Sequence, residues 1–300
     1  MAERDMPVGS GVPGPVATPP RSGEPVLRLT GISKAFGAVQ ALSNVDFEVW
    51  PGEVVGLVGD NGAGKSTLIK VIAGVNPADS GAIHVDGHEV HISIPNDATH
   101  LGIETVYQDL ALADNLDVVA NLYLGREDLM PRIPWLGGVL DETKMEQRTL
   151  EVLRQLDVKT LRSVRTPVAA LSGGQRQSIA VAKTILRRAK VVLLDEPTAA
   201  LGVAQTRQVL NLIRRLRERG LAIVVISHNL ADVFEVVDRV VVLRLGQRVG
   251  SYDIRTTTPE KVVAAITGAE FGALLSENGN TGNGNTGNGN TGNGNMGQEA

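Results

Sequence analysis

The sequence predicts an α/β fold, because short apolar strands alternate with amphipathic helices along most of its 300 residues. An apolar strand over 53–58 leads through a glycine-rich loop into a helix over 68–73. Two further apolar strands, 191–194 and 221–226, enclose a helix over about 203–219. This order of strand, helix and strand is typical of a parallel sheet whose crossover connections are helical.

The composition excludes several classes of protein. Hydrophobic residues make up 42 % of the chain and aromatic residues only 3 %, so we expect an aliphatic core. A net charge of −4 provides no broad basic field, which argues against a partner bound by charge alone, such as nucleic acid. Cysteine is absent, which excludes disulfides and thiolate catalysis. The longest apolar runs are far shorter than the ~20 residues of a membrane-spanning helix, so we expect none.

The two ends of the chain differ from its middle. Residues 1–25 are rich in Pro and Gly without any periodicity, and they predict a disordered leader. From about residue 278 to 295 an Asn-Gly-Asn-Thr-Gly repeat has no apolar side chain to bury, and residues 269–300 are predicted to form a flexible tail. We therefore expect the folded domain to cover residues 26–268.

Strand patterns precede and follow the glycine-rich loop. Alternating residues over 26–29 and 45–49 predict an antiparallel region, and 82–87 with 88–92 predict a second strand pair. The three histidines of that pair do not fall on one face of the alternating pattern, which favours solvated side chains over a metal site. A strand over 103–106 follows.

The pattern becomes helical between about 109 and 170. Helices are predicted over 116–124 and 142–156, with a Pro- and Gly-containing loop over 130–138 between them. The strand and helix alternation then resumes, and it ends with a strand pair over 240–245 and 247–252 and a short helix after Pro259. On the helix over 203–219, the arginines are predicted to form a solvated face, with contact to an anion as the alternative: Arg214, Arg215, Arg217 and Arg219.

The glycine-rich loop over 59–67, called here the phosphate loop, lies between a buried strand and a helix. Its glycines let successive backbone N–H groups converge on one point, where the start of the helix adds a positive dipole end. Lys65 is suited to the β- and γ-phosphates of a nucleotide, and the hydroxyl of Ser66 to Mg²⁺. A chance glycine-rich turn is the alternative, which the flanking strand and helix disfavour. The predicted nucleotide-binding residues here are Gly59, Asn61, Gly62, Gly64, Lys65, Ser66 and Thr67.

Polar side chains follow three other predicted strands, where ligands gather in parallel α/β sheets. Asp195 is suited to hold a metal, directly or through water, and Glu196 to polarise an attacking water. His228 is placed to reach a γ-phosphate, although a lone histidine is more often structural. Gln108 is placed to contact the metal or the water. With Lys65, these residues form the predicted catalytic set.

A second anion-binding nest is predicted at Leu-Ser-Gly-Gly-Gln, residues 171–175, called here the LSGGQ stretch. A serine and two glycines precede a helix that runs to about residue 188, so their N–H groups face an anion. One chain would then hold two phosphate-binding sites. Two copies placed head to tail resolve this, because each copy closes the nucleotide site of the other.

These motifs, taken in this order, resemble the ATPase subunit of an ABC transporter over residues 26–268. The resemblance implies a P-loop NTPase with a RecA-like core, an antiparallel β subdomain and a helical subdomain over about 109–170, with ATP and Mg²⁺ as cofactors. It also implies that Phe36 stacks on adenine, for which a core aromatic is the alternative. Gln108 is implied to begin a flexible loop between the subdomains. Three residues of the LSGGQ stretch are implied to bind the partner copy's nucleotide: Ser172, Gly174 and Gln175.

Within that family, the stretches at 36–42, 121–127 and 227–229 resemble those of monosaccharide importers. Many such ATPase subunits are two fused copies, whereas this chain has one phosphate loop. The resemblance therefore implies a homodimer on the cytoplasmic face of the cell membrane, peripheral to membrane permease subunits and indirectly served by a sugar-binding protein.

One residue departs from the family pattern. The family has an aspartate that couples the two sites where this chain has Gly202. We expect hydrolysis to be retained, because the catalytic carboxylates are unaffected. Two other interpretations remain at this point: a soluble ABC ATPase that acts on nucleic acid or ribosomes, and a non-catalytic nucleotide sensor.

Overall fold

The computed structural model describes residues 23–130, 138–158 and 161–269. The leader and tail predicted at the two ends, and most of the loop predicted over 130–138, lie outside the described residues. The strands, in chain order, are β1 Leu27–Phe36, β2 Val39–Val49, β3 Val54–Val58, β4 Ser80–Val85, β5 His88–Val90, β6 Ile103–Val106, β7 Val191–Asp195, β8 Ala222–Ile226, β9 Arg239–Arg244 and β10 Gln247–Asp253. The helices are α1 Lys65–Ile72, α2 Pro95–His100, α3 Val118–Tyr123, α4 Glu142–Gln155, α5 Gly173–Leu186, α6 Val203–Glu218, α7 Leu230–Val236 and α8 Pro259–Thr267, with a 3₁₀ turn at Val168–Ala170.

The strands form two sheets. The six-stranded sheet has the order β10-β9-β3-β8-β7-β6 and is parallel except for β10, which pairs antiparallel with β9. The four-stranded sheet, β2-β1-β4-β5, is entirely antiparallel. The predicted α/β fold is therefore confirmed, together with an antiparallel region around the phosphate loop.

The parallel sheet is buried on both faces. Along β3, Val54 and Val58 belong to one core cluster, while Val55 and Leu57 between them belong to a second. The first cluster contains residues of α3 to α8, and the second contains residues of α1 and the antiparallel sheet. Continuous apolar strands are the sequence mark of such a middle layer, because side chains on both faces must leave water.

The strands β1 and β2 extend well beyond the alternating stretches that predicted them. Their pairing shifts register between Leu29 and Ile32, where Gly31 has a positive φ of 63° and donates its N–H to Asp46 Oδ1 at 2.8 Å. A bulge of this kind adds a residue to one strand, so the alternation of buried and exposed positions is interrupted. The sequence pattern therefore identified only part of each strand.

Two of the described helices between residues 109 and 170 begin at aspartate caps. Asp117 accepts a hydrogen bond from Ala120 N at the start of α3, and Asp141 accepts one from Lys144 N at the start of α4. These caps satisfy N–H groups that a first helical turn leaves free, and they set the start of α3 two residues later than predicted. The division of the chain into a core, a β subdomain and a helical subdomain remains a prediction.

The predicted solvated arginine face on α6 is wrong for three of the four arginines, which are only partly exposed and paired, whereas Arg219 is exposed. Arg214 pairs with Glu235 at 2.6 Å, and Arg217 pairs with Asp238 at 2.6 Å with only 11 % of the arginine side chain exposed. Arg215 and Arg219 reach the end of α4, where they contact Asp157 and Gln155. The arginines thus tie α6 to neighbouring segments, and helical periodicity could not reveal partners so distant in sequence. None of the described helices combines the length and apolar character that crossing a bilayer requires.

Candidate functional site

The phosphate loop, the two carboxylates and His228 meet at the carboxyl edge of the parallel sheet. Leu57 of β3 and Asp195 of β7 both pair with Ile226 of β8, so these three strands end at the same level. Each strand then continues into a predicted site segment, because the phosphate loop follows β3, Glu196 follows β7 and His228 follows β8. The backbone N–H of Glu196 also donates to the carbonyl of Ile226 at 2.9 Å. Strand pairing alone therefore brings the loop, the carboxylates and the histidine together.

Glycine is required at two positions of the phosphate loop. Gly59 has φ 152°, and a Cβ built there would lie 2.2 Å from the carbonyl oxygen of Leu243. Gly64 has φ 102°, and its Cβ would meet the carbonyl of Ala41 at 2.8 Å. Gly64 is also the residue before α1, which has no side-chain cap and no acidic residue in its first turn. The first N–H groups of α1 are therefore available to an anion such as phosphate.

Lys65 lies over the loop that precedes it. Its Nζ donates to the carbonyls of Gly59 at 2.7 Å and Asp60 at 3.0 Å. Burial lowers the pKa of Lys65, while the nearby carboxylates of Glu196, Asp60 and Asp195 act in the opposite direction. The Lys65 ammonium group is thus held by two backbone carbonyls, and a bound anion would provide a fully charged acceptor at the same position.

Asp195 and Ser66 are the predicted oxygen ligands of a metal, and the charges around Asp195 relate it to the helix that carries Ser66. Burial, and then the charge of Glu196, raise the pKa of the Asp195 carboxyl, while Lys70 and Lys65 on α1 lower it. Ser66 and Lys70 are four residues apart on α1 and share one helix face, so Asp195 lies near the face that carries Ser66. A divalent cation placed there would offset the cost of ionising Asp195.

These donors fit Mg²⁺ when a nucleotide supplies the remaining ligands. A hydroxyl, a carboxylate and the amide oxygen of Gln108 are hard donors, as this ion prefers. The described residues contain no group of three or more His, Asp or Glu side chains that could hold a metal by themselves. Mg²⁺ usually binds proteins through one or two side chains together with phosphate oxygens, so the donor set is suited to a metal–nucleotide complex.

Glu196 and His228 form a close pair. Oε2 of Glu196 lies 2.9 Å from Nδ1 of His228. Only 18 % of the Glu196 side chain is exposed, against 75 % for His228, so the carboxylate is sheltered while the imidazole faces the open side of the site. Glu196 also has a positive φ of 50°, a conformation that L-residues seldom adopt and that persists where the surroundings enforce it. The carboxylate is positioned to accept a proton from water, and the imidazole to donate to an anion.

An open cavity of about 450 Å³ lies between the phosphate loop and the end of β8. Its lining is Val58, Gly59, Asp60, Asn61, Ser227, His228, Leu230 and Ile266. The LSGGQ stretch contributes nothing to this lining. Gly174 instead packs against Gln205 and Gln208 on α6.

The LSGGQ stretch forms the start of α5. Ser172 Oγ accepts from the N–H of Gln175 at 3.3 Å, and Gln175 Oε1 accepts from the N–H of Ser172 at 2.9 Å. This reciprocal capping box fixes the first turn, while the Ser172 side chain stays exposed. The stretch is therefore a formed and accessible helix start, away from the cavity of its own chain.

Phe36 and Gln108 lie at strand ends. Phe36 ends β1 with 47 % of its surface exposed, so it is available for stacking, and Nζ of Lys34 lies 5.7 Å from the centroid of its ring. Gln108 is exposed just after β6. It precedes Leu110 and Ala111, two consecutive residues with positive φ, which mark a strained turn.

Sequence reasoning missed two contributors to the site. Ser227 lines the cavity and its Oγ accepts from the N–H of Asn229 at 3.0 Å, which shapes the turn that carries His228. Asp232 accepts a hydrogen bond from the hydroxyl of Thr198 at 2.7 Å, which ties the segment after Glu196 to α7. Only their positions close to His228 could have drawn attention to them.

Comparison with known proteins identifies the family. The family model described as ABC transporter matches residues 42–199, which is more than half of the chain. The chain belongs to the ABC transporter family. The predictions of a P-loop NTPase fold and of an ABC-type ATPase are thereby confirmed.

Several curated relatives are similar over most of the chain. The fructose import ATP-binding protein of Rhizobium meliloti is 45 % identical, covering 82 % of this chain and 95 % of the relative. The xylose/arabinose import ATP-binding protein of Sulfolobus acidocaldarius is 42 % identical, with 82 % and 96 % covered. A ribose import ATP-binding protein of Burkholderia cenocepacia is 40 % identical over 83 % of this chain, which spans 48 % of that longer relative.

Solved structures share the fold of this ABC protein. A nucleotide-free ATP-binding cassette of an ABC transporter superposes with a TM-score of 0.68 at 26 % identity, covering 81 % of this chain and 98 % of the cassette. A cassette in its ADP conformation has a TM-score of 0.68 at 24 % identity, covering 85 % of this chain and 99 % of the cassette. The dimeric structure of a bacterial cassette has a TM-score of 0.64 at 23 % identity, covering 77 % of this chain and all of the cassette.

Proposed function

We propose that this chain hydrolyses ATP to drive import of a monosaccharide through a membrane permease. The observation that carries the hydrolytic part is the sheltered Glu196, 2.9 Å from His228, at the same sheet edge as the phosphate loop. Family membership and the sugar-import names of relatives that match over 95 % of their length support the transport part.

In the proposed reaction, the phosphate loop binds the phosphates of ATP. Lys65 exchanges its two backbone acceptors for the β- and γ-phosphate oxygens. Charged phosphate oxygens bind the ammonium group more strongly than neutral carbonyls do. Ser66, Asp195 and Gln108 hold Mg²⁺, which neutralises charge on the phosphates when it is bound. Phe36 stacks on the adenine ring with its exposed face.

Glu196 then orients and deprotonates the attacking water, and His228 donates a hydrogen bond to the γ-phosphate. The pair suits these roles because the carboxylate is shielded from solvent while the imidazole is exposed toward the cavity. A short contact between them keeps both groups in place before ATP arrives. This division of work requires Glu196 to be ionised during catalysis.

We further propose that two copies share two ATP sites. The start of α5, with exposed Ser172 and buried Gly174, lies outside the cavity of its own chain, so this helix start can serve the nucleotide of a second copy. The head-to-tail arrangement closes both sites by symmetry. At Gly202, where the family pattern has an aspartate, this chain carries no side chain that could make the usual contact between the two sites.

The proposed assembly lies on the cytoplasmic face of the membrane. The dimer contacts permease subunits directly, and a sugar-binding protein delivers the monosaccharide to the permease from the other side. Specificity for the sugar then belongs to those partners, because the small-molecule site identified on this chain is the one at the phosphate loop.

The test is sugar uptake in cells that lack this chain. Adding back the wild type should restore uptake of one monosaccharide, whereas Glu196→Gln at equal abundance should not restore it. The chain should also co-purify with a multi-span protein from solubilised membranes. An ATPase rate that instead responds to nucleic acid or ribosomes, without any membrane partner, would contradict sugar import and support the alternative soluble ABC ATPase.

A further inference from the structure

Arg176 makes contacts that link the LSGGQ stretch to the segment before it. This residue lies one position after Gln175, on the second turn of α5. Its Nε donates to the carbonyl of Val168 at 3.2 Å, and its Nη2 donates to the carbonyl of Ala169 at 3.1 Å. Because both acceptors belong to the 3₁₀ turn that leads into the LSGGQ stretch, one guanidinium holds the turn and the helix together.

The same 3₁₀ turn is tied to the loop that follows Gln108. The N–H of Val168 donates to the carbonyl of Leu116 at 3.0 Å, and the N–H of Ala169 donates to the carbonyl of Asp114 at 2.9 Å. The side chain of Asp114 also lies 3.6 Å from Nη1 of Arg176. The 3₁₀ turn therefore accepts hydrogen bonds from Arg176 and donates hydrogen bonds to the loop.

A buried asparagine makes that loop rigid. Asn121 is only 1 % exposed, and its Nδ2 donates to the carbonyls of Ala113, Leu116 and Asp117 at 2.9–3.1 Å. Its Oδ1 accepts from the N–H of Ala113 at 2.7 Å. With these bonds made, the loop end at 113–117 moves as one body with α3.

From these contacts we infer that Arg176 is a positioning residue, which couples the loop after Gln108 to the LSGGQ stretch and so orients the N–H groups that the partner copy's ATP needs. The inference rests on the proposed sharing of two sites, and it adds the residue that transmits position between them. Arg176 itself touches no nucleotide in this account. Its loss should affect the site on the other copy, and it should leave the phosphate loop of its own chain intact.

The distinguishing experiment places substitutions on one chain or on two, in heterodimers purified through two different tags. Arg176→Met on one chain and Lys65→Ala on the other leaves one site with an intact loop and an intact LSGGQ stretch. Both substitutions on the same chain, paired with wild type, leave no such site. We expect the first heterodimer to hydrolyse ATP at least tenfold faster than the second, and equal rates would overturn the inference.

The controls separate this inference from the proposed function. Ser172→Arg replaces Arg176→Met in a parallel pair of heterodimers. If Ser172→Arg gives the tenfold difference and Arg176→Met does not, the shared site stands and the role of Arg176 is overturned. If neither gives a difference, the shared site fails and the inference fails with it.

Nucleotide binding by the isolated chain separates a positioning role from general destabilisation. A destabilised chain would lose binding, whereas a chain that has lost only the positioning contact would keep it. The affinity of Arg176→Met for a fluorescent ATP analogue should stay within twofold of wild type, because the phosphate loop is untouched. Arg176→Lys keeps the charge but offers one donor group for two carbonyls, and it should lose at least threefold in kcat of the dimer. Arg148→Met removes another partly exposed arginine with an ion pair, to Asp128, and should retain full activity. Loss of analogue binding by Arg176→Met, or full activity of Arg176→Lys, would contradict the positioning role.

Discussion

Replacing Glu196 by Gln removes the proposed base while keeping the shape and one carbonyl acceptor near His228. A positioned general base contributes about 10²- to 10⁴-fold to rate, so we expect kcat to fall by about that factor, which is about 3–5 kcal/mol of activation free energy. His228→Ala in the wild-type background should cost about 10²-fold, since it removes a donor to the developing phosphate charge. The affinity for ATP should change by less than about threefold in both variants, because the phosphate loop supplies most of the binding.

The 2.9 Å contact between the two side chains predicts that the losses in the double variant are not additive. Groups in direct contact usually couple by about 0.5–3 kcal/mol, so the cost of His228→Ala should fall from about 10²-fold to about 40-fold or less once Glu196 is already Gln. The assay is steady-state release of phosphate at saturating Mg-ATP, with single-turnover rates as a check. His88 is an exposed histidine of β5 that contacts the carbonyl of Asp86, so His88→Ala provides the matched control and should leave kcat unchanged in both backgrounds. Fully additive losses in the double variant would refute the paired action of Glu196 and His228.

Three further outcomes are expected. Gly59→Ala should lower the free energy of unfolding by about 3 kcal/mol and Tm by roughly 6–12 °C, because its Cβ meets the Leu243 carbonyl. Gly62→Ala has open space at its Cβ, so calorimetry should show a far smaller fall in Tm. Asp195→Asn should raise the Tm of the nucleotide-free protein at pH 7, because an ionised carboxylate with a raised pKa opposes folding there. This gain should vanish at acidic pH, where Asp195 is protonated. An unchanged Tm at pH 7 would contradict the burial argument. Phe36→Ala should raise KM for ATP about tenfold with little change in kcat, while Phe36→Trp should restore KM, and equal KM values for both variants would argue against stacking.

Much of the site could be predicted because its signals are local in sequence. The phosphate loop follows β3 within a few residues, and the glycines that need positive φ are part of the motif itself. Asp195, Glu196 and His228 directly follow buried apolar strands, and parallel pairing places such strand ends at one edge. Spacing alone therefore indicates that these residues are neighbours.

The remaining features depend on distant partners that no local pattern reveals. The short contact between Glu196 and His228 requires a left-handed backbone at Glu196, which β-strand periodicity cannot indicate. Arg217, which the sequence predicts to be solvated, pairs with Asp238, and Arg176 reaches the carbonyls of a turn before its helix. Register shifts in β1 likewise hid most of that strand, because they interrupt the alternation on which strand prediction depends.

The sharing of two ATP sites by two copies is tested most directly by the mass of the Glu196→Gln protein in solution, measured by analytical ultracentrifugation with and without Mg-ATP. This variant should bind ATP without consuming it, so the closed state should accumulate. We predict a monomer of 31.7 kDa without nucleotide and a dimer of twice that mass with Mg-ATP, and we predict that adding Ser172→Arg abolishes the dimer. A Glu196→Gln protein that binds ATP and remains a monomer would contradict the shared sites.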